Sequence, residues 1–214
     1  MARILLVRHA ECTGNMHGRW VGQADLPLTI AGYGQAVCLA RRLRQERPTA
    51  AYTSDLLRAR RTAEIALAGL GLTAIVEPDL REVHLGAWEG LTVDEIASLY
   101  ADAYARMRHS PFDFLPPGGE STAALMERVR RAMERIAARH RGETVAVFTH
   151  GGALRAIAYV ITGSAASWRG PVHNAGLSIV EWEGDERRIL LWDDRSHLEP
   201  ESPPAGAQGQ RTAA

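Results

Sequence analysis

The pattern of hydrophobic and polar positions singles out two short apolar runs, each of which leads to a histidine. Ile4 to Val7 are all apolar and are followed by Arg8 and His9. Thr144 to Thr149 read TVAVFT and are followed by His150. A run of this length between polar residues is typical of a strand that is buried on both faces. We therefore predict two central strands of a sheet, each with a histidine just beyond its carboxyl end.

Between these runs, the pattern alternates between helices and short strands. Thr29 is a candidate cap for a helix that Pro48 ends. The apolar face of this helix is expected to comprise Ala36, Val37, Ala40 and Leu43. Residues 50–53 and 74–77 read as short strands, and residues 54–71 as a helix with a polar start and a glycine-rich end. This alternation predicts a parallel sheet that is covered by helices on both faces.

The middle of the chain predicts a small helical cap. Thr92 and Glu95 form a capping box at the start of a helix. Its apolar stripe comprises Val93, Ile96, Tyr100, Tyr104 and Met107. A loop rich in proline and aromatic residues follows at residues 111–121. We expect residues 91–117 to cover the functional site.

The remainder of the chain predicts one long helix, a hairpin and a polar tail. Ser121 is a candidate cap for a helix that Gly142 ends. Its inward face comprises Leu125, Val129, Ala132, Met133 and Ile136. Residues 177–182 and 188–192 predict a hairpin at the sheet edge. Residues 199–214 have almost no apolar bulk and are expected to be a disordered tail.

These elements predict a single domain. A chain of 214 residues is long enough for one sizeable core. We expect this domain to span residues 1–198 and to be a three-layer α/β/α sandwich, with a mostly parallel central sheet, an edge hairpin and the helical cap.

The composition excludes several classes of function. The chain has 25 basic and 25 acidic residues, so its net charge favours neither nucleic acid nor a membrane surface as a partner. Every basic residue is an arginine, so the lysine of a Walker-type phosphate loop or of a Schiff base is missing. The arginines of residues 128–141 are interleaved with glutamates, which favours a solvated helix face over a nucleic-acid stripe.

Cysteine and histidine spacing favours neither a disulfide framework nor a metal site. The two cysteines, Cys12 and Cys38, do not form a CxxC pair, which favours a reduced, cytoplasmic setting. No metal-binding spacing such as HExxH occurs among His17, His84, His109, His140, His173 and His197. No apolar run approaches the roughly 18 residues of a membrane span. We therefore expect a soluble protein that needs no metal and no cofactor.

The two histidines at the strand ends are the strongest sign of a functional site. The carboxyl edge of an open α/β sheet is where such sheets place their ligands. Gly151 and Gly152 follow His150 and open a predicted helix, whose first N–H groups suit a phosphate. A single histidine in such a position is more often structural. A pair at matching ends of two buried strands favours a site.

The segment RHAECTGN, at residues 8–15, resembles the RHG(E)xxxN signature of the histidine phosphatase superfamily, also called phosphoglycerate-mutase-like. It supplies Arg8, His9 and Asn15. The second arginine segment of the family resembles SDLLRARRTAE, which supplies Arg58.

Further segments follow in the family's order as far as about residue 156. The segment that carries the acid resembles LREVHLGAWEG, in which the acid falls on Glu82. Two more family segments are matched by PGGES and by THGG, which contains His150. The closing DDRSHLEP is similar to the ending of bacterial broad-specificity phosphatases in this family.

This resemblance implies a metal-independent phosphomonoesterase that acts on small phosphorylated metabolites through a phosphohistidine. In it, His9 would be the nucleophile and Glu82 the general acid and base. The guanidinium groups of Arg8 and Arg58 would bind the phosphate oxygens. The remaining positions that would bind the substrate are Asn15, His150 and the backbone N–H of Gly151.

Several alternatives remain open at this point. Glu89 and Glu11 also lie near the expected site, and only the position of the acid in the matching family segment favours Glu82. Cys12 is expected to be an inert small residue, and Val21 stands where many phosphatases of the family have a glutamine that contacts the phosphate. The resemblance also admits a cofactor-dependent phosphoglycerate mutase, an alpha-ribazole phosphatase or a non-catalytic phospholigand sensor. Whether the chain forms a homodimer is open.

Overall fold

The computed structural model describes residues 1–110, 112 and 114–199, and its centre is a sheet of six strands. The strands are β1 (Ala2–Arg8), β2 (Ala50–Thr53), β3 (Ile75–Val76), β4 (Thr144–Thr149), β5 (Leu177–Glu183) and β6 (Glu186–Asp194). Their spatial order is β3-β2-β4-β1-β5-β6. The first four of these are parallel, while β5 runs antiparallel to β1 and forms a hairpin with β6. The predicted mostly parallel sheet with an edge hairpin is confirmed.

Eight α-helices accompany the sheet in the part of the chain that the structure describes. They are α1 (Thr13–Met16), α2 (Ile30–Glu46), α3 (Leu57–Leu67), α4 (Val93–Leu99), α5 (Ala101–His109), α6 (Thr122–Arg139), α7 (Gly151–Thr162) and α8 (Ala165–Arg169). Of these, α1 and α8 were not predicted from the sequence pattern.

The alternation of side chains along β1 produces the layers. Ile4 and Leu6 pack into a core with side chains of α6 and α7, whereas Leu5 and Val7 pack into a second core with side chains of α2 and α3. Successive residues of a strand point to opposite faces, so a run that is apolar throughout needs cover on both sides. The three-layer α/β/α architecture is confirmed.

The helix caps follow the sequence closely, with one error on α2. The Thr29 side chain accepts a hydrogen bond from Gly32 N at 2.9 Å, and the Ser121 side chain accepts one from Ala124 N at 3.1 Å. The buried positions of α2 are Gly32, Ala36, Leu39, Ala40 and Leu43. Val37 was expected among them but is 50% exposed. It is one residue past Ala36, which turns its side chain by about 100° away from the core.

The predicted cap helix is divided in two. The capping box is present, since Thr92 Oγ1 accepts from Glu95 N and Glu95 Oε2 accepts from Thr92 N. However, Tyr100 has φ −133° and ψ 43°, which ends α4 and separates it from α5. Tyr100 and Tyr104 both pack on Trp88, with ring centroids 6.3 and 6.4 Å away. Packing on this buried indole therefore accompanies the break, and a single continuous helix was the wrong prediction.

Three expectations concern the ends and surface of the chain. The tail from residue 199 was expected to be disordered; beyond Glu199 it lies outside the residues that the structure describes. Val93 was placed on the apolar stripe but is 40% exposed. No helix in the described ranges is long and apolar enough to cross a membrane.

A pair of glycines on α2 provides a test of how this helix is placed. A Cβ at Gly32 would lie 2.1 Å from the backbone oxygen of Glu11, whereas a Cβ at Gly34 would have no neighbour within 4 Å. Gly32→Ala should therefore lower the free energy of unfolding by about 1–3 kcal/mol, through overpacking against backbone. Gly34→Ala should raise it by up to about 1 kcal/mol, because alanine has the higher helix propensity. Urea unfolding of both variants measures the difference, and equal effects would contradict this packing.

Candidate active site

The site begins with the register between β1 and β4. Arg8 pairs with Thr149, so the next residues of the two strands, His9 and His150, leave the sheet side by side. Their ring centroids are 5.1 Å apart, with the ring planes inclined at 53°. His9 is 3% exposed and His150 is fully buried. The structure thus brings together the two histidines that the sequence placed at matching strand ends.

The imidazole of His9 is held in one neutral form. Its Nδ1 lies 2.7 Å from the backbone oxygen of Ala10, and since a carbonyl can only accept, Nδ1 carries the proton. Nε2 in turn accepts a hydrogen bond from Arg58 Nε at 3.2 Å. Burial lowers the pKa of His9 well below its usual value, and the charges of Arg58 and Arg8 lower it further. His9 therefore presents an unprotonated Nε2 to the cavity.

Arg58 is locked by backbone carbonyls. Its side chain is 1% exposed, and besides His9 it donates to Ala24 O at 2.8 Å and Gly22 O at 2.7 Å. Gly22 has φ +54°, a left-handed conformation that favours glycine. Burial lowers the pKa of Arg58 below its usual value, an effect that the charge of Glu82 opposes. The guanidinium is thus a fixed cation beside the His9 nitrogen.

Arg8 has a donor without a partner. Its Nη1 donates to Val172 O at 2.6 Å, but its buried Nε has no hydrogen-bond partner among residues 1–110, 112 and 114–199. Buried donors are rarely left unpaired, and those that are call for an explanation. A Cβ at Gly151 would lie 3.6 Å from this Nε, so the donor is next to the first residue of α7. An anion bound at this helix start would satisfy it.

His150 is fully buried and is not part of the cavity wall. Its Nε2 is 2.8 Å from Ser54 Oγ, and its buried Nδ1 has no partner within the described part of the chain. Burial lowers the pKa of His150 well below its usual value, with further lowering by Arg58 and His9. Neither His150 nor Gly151 lines the cavity. The role of Ser54 in orienting this ring was not predicted.

Glu82 faces the start of α7. Its Oε2 accepts from Gly152 N and its Oε1 from Val83 N, both at 3.0 Å. A Cβ at Gly152 would lie 2.4 Å from Glu82 Oε1, so any larger residue at this position would collide with the carboxylate. Glu82 lines the cavity together with Arg8, His9 and Arg58.

Arg128 holds the irregular segment that carries Glu82. It donates to the backbone oxygens of Asp79, Arg81 and Glu82 at 2.8, 2.7 and 2.9 Å, and it forms a two-pronged ion pair with Glu120. We expected a solvated helix face for the arginines of residues 128–141, and Arg130 does pair there with Glu127 and Glu134. For Arg128 this was wrong, because its side chain is only 13% exposed.

Asn15 is oriented by its neighbours. Its Oδ1 accepts from Cys12 N at 3.2 Å, from Cys12 Sγ at 3.1 Å and from Asn174 Nδ2 at 3.1 Å. Asn174 Nδ2 also donates to the backbone oxygen of His9 at 3.0 Å. With its oxygen engaged, Asn15 can offer its NH₂ group to the cavity that it lines. Cys12 is buried and does not line this cavity, and Asn174 was not predicted at all.

The two other candidate acids have structural contacts. Glu89 Oε1 accepts from Gln23 N at 2.8 Å and from Leu85 N at 3.2 Å. Glu11 Oε1 accepts from Thr29 Oγ1 at 2.7 Å. Neither of them lines the cavity, whereas Glu82 does. The geometry therefore favours Glu82.

The cavity has a volume of about 280 Å³, a polar floor and a largely apolar wall. The wall includes Trp20, Val21, Met107, Phe114 and Trp168. The described residues contain no cluster of three or more His, Cys, Asp or Glu side chains that could hold a metal ion. A neutral imidazole, two guanidinium groups, a carboxyl group and a helix start can together bind a dianion and transfer a phosphoryl group.

Known proteins are similar to this chain in sequence and in fold. Residues 4–195 match the histidine phosphatase superfamily, branch 1. A metal-independent phosphoserine phosphatase of Arabidopsis thaliana is 42% identical over 201 residues, which cover 92% of this chain and 84% of that protein. Phosphoglycerate mutase-like protein 4 of the same plant is 37% identical over 202 residues, which cover 92% and 87%. The solved structure of Bacillus stearothermophilus YhfR has a TM-score of 0.87 at 33% identity, covering 93% of this chain and 100% of that one.

Proposed function

The chain belongs to the histidine phosphatase superfamily and is a metal-independent phosphoric monoester hydrolase, and we propose that His9 carries the phosphoryl group and that O-phosphoserine is a substrate. The name of the Arabidopsis thaliana relative supports this choice of substrate. The cavity of about 280 Å³ suits a small phosphorylated metabolite.

The observation that carries the proposal is the state of His9. An imidazole can attack phosphorus only through an unprotonated nitrogen, and the hydrogen bond to Ala10 O leaves Nε2 as that nitrogen. The guanidinium of Arg58 lies 3.2 Å from the same atom. The nucleophilic nitrogen and a guanidinium that binds the phosphate are therefore in direct contact.

The reaction has two steps. His9 Nε2 has one lone pair, so the hydrogen bond from Arg58 Nε first passes from Nε2 to a phosphate oxygen. Nε2 then forms a bond to phosphorus while the bond from phosphorus to the ester oxygen breaks, and Glu82 in its protonated form gives its proton to the leaving alkoxide. Glu82, now a carboxylate, then takes a proton from a water molecule that attacks phosphorus. The bond between phosphorus and Nε2 breaks, which releases inorganic phosphate and restores both residues.

Charge stabilisation comes from groups that are already in place. Arg8 and Arg58 provide guanidinium donors to the equatorial phosphate oxygens, and the N–H of Gly151 adds the positive end of α7. Asn15 completes the set as a neutral donor, while His150 packs beside His9 without lining the cavity. Because burial and hydrogen bonds fix these groups beforehand, little reorganisation is needed during transfer.

The role of Glu82 depends on the leaving group. Glu82→Gln should lower kcat/KM for alkyl phosphates such as phosphoserine by about 100-fold or more, but for aryl phosphates by much less, because a good leaving group needs little protonation. Steady-state rates on phosphoserine and p-nitrophenyl phosphate measure this difference.

Glu89→Gln is the matched control, since Glu89 lies nearby without lining the cavity. It should show no dependence on the leaving group. If Glu82→Gln slowed both substrates equally, Glu82 would have a binding role and another group would be the acid.

The apolar wall of the cavity favours hydrolysis over mutase activity. A mutase must hold a bisphosphate intermediate while it reorients, which calls for extra cations at the mouth of its site. The arginines of α5, Arg106 and Arg108, are exposed and do not line the cavity, whereas Met107 does. We therefore place the mutase, the alpha-ribazole phosphatase and the non-catalytic sensor behind the small-molecule phosphatase.

A direct test uses 3-phosphoglycerate with a bisphosphoglycerate primer. Release of inorganic phosphate should outpace formation of 2-phosphoglycerate because, of the two further arginines that line the cavity, Arg19 is already bonded to Glu95, which leaves Arg155 alone to retain the bisphosphate. Simultaneous assay of both products by ³¹P NMR measures the ratio. Efficient interconversion of the two phosphoglycerates with little phosphate released would establish the mutase instead.

A further inference from the structure

One cation in the cavity has no part in the chemistry described so far. Arg155 stands on α7, one turn beyond the strand end that carries His150, and it lines the cavity. Across the described ranges, its guanidinium has neither a hydrogen bond nor an ion pair. The sequence pattern did not single it out.

The position of Arg155 relative to the phosphate site follows from Gly151. A Cβ at Gly151 would lie 3.6 Å from Arg155 Nη1 and also 3.6 Å from Arg8 Nε, so these two nitrogens are at most about 7 Å apart. The charge of Arg155 is one of the causes that lower the pKa of Arg8, after burial. Arg155 is therefore close to the proposed phosphate site but is not needed to complete it.

The surroundings of Arg155 leave it free for a ligand. The other cation on the wall, Arg19, already donates to Gly90 O at 2.6 Å and to Glu95 Oε2 at 3.1 Å. Other residues that line the same cavity, such as Phe114 and Trp168, provide apolar surface. An unpaired guanidinium in a partly apolar cavity gains more from an anion than one in open water.

We propose that Arg155 binds a carboxylate of the substrate, so that the enzyme selects phosphomonoesters of small hydroxy acids. This inference rests on the proposed phosphatase function and on Arg8 and Arg58 as the phosphate-binding pair. Phosphoserine and 3-phosphoglycerate both carry a carboxylate a few bonds from the phosphate. Arg155 would be a specificity residue, and its loss should affect only substrates that have this second anion.

The test uses two pairs of substrates. O-phosphoserine is compared with O-phosphoethanolamine, and 3-phosphoglycerate with glycerol 3-phosphate; in each pair only the first compound has the carboxylate. The wild-type enzyme should prefer the carboxylate compound of each pair. Arg155→Met should lower kcat/KM for these two compounds by about 10- to 100-fold, mainly through KM, which is the usual effect of losing a charge-assisted hydrogen bond. Its effect on the other two compounds should stay within about twofold.

Two further variants complete the design. Arg155→Lys keeps the charge but not the planar fork, so it should restore part of the preference. Arg131→Met is the matched control, because this arginine is on α6, its side chain is 50% exposed and it does not line the cavity. It removes the same charge and should leave all four rates unchanged.

The possible failures are distinguishable. An equal loss on all four compounds with Arg155→Met would place Arg155 in phosphate binding, and no loss on any would make it a surface cation; either result overturns the inference but not the phosphatase. A wild-type enzyme that hydrolyses phosphomonoesters without preferring the carboxylate compounds also overturns the inference alone. If the wild-type enzyme hydrolysed no phosphomonoester at all, the proposed function would fail with it.

Discussion

The parallel pairing of β1 with β4 is the constraint on which the site depends. Because Arg8 lies beside Thr149, His9 and His150 emerge at the same level of the sheet, with ring centroids 5.1 Å apart. Side chains alternate along a strand, so a slip of one residue would turn a histidine to the opposite face. The two separate cores above and below the sheet fix this register, since each apolar side chain of β1 belongs to one of them.

Burial at this edge of the sheet sets the electrostatics. It lowers the pKa of His9 and also that of Arg58, since removing either charged form from water is unfavourable. Burying two guanidinium groups beside a neutral ring costs solvation free energy, and a bound phosphate dianion compensates for this cost. The backbone oxygens of Gly22 and Ala24 hold Arg58 in place for that anion. The same arrangement that keeps the nucleophile unprotonated therefore favours substrate binding.

Local patterns predicted the strands, the caps and the family residues, but not the contacts between distant segments. An apolar run or a capping residue depends on its immediate neighbours, so the buried strands and most helix starts could be predicted from the sequence. Val37 was misplaced because its phase on the helix turns it away from the core, and the helix break at Tyr100 accompanies packing on Trp88, a residue of another segment. Asn174 supports both His9 and Asn15 from a segment more than 150 residues away, and no local pattern reveals this. Nor does any spacing distinguish a cavity arginine such as Arg155 from one in solvent.

The central claim is that His9 Nε2 becomes phosphorylated, and trapping the intermediate tests it most directly. Rapid alkaline quenching of enzyme mixed with phosphoserine, followed by peptide mapping and ³¹P NMR, should find an acid-labile, base-stable phosphoryl group on Nε2 of His9. The label should be absent from His9→Ala, with circular dichroism confirming that this variant is folded. A label on Cys12, on a serine or on the Nδ1 of His9 would contradict the account.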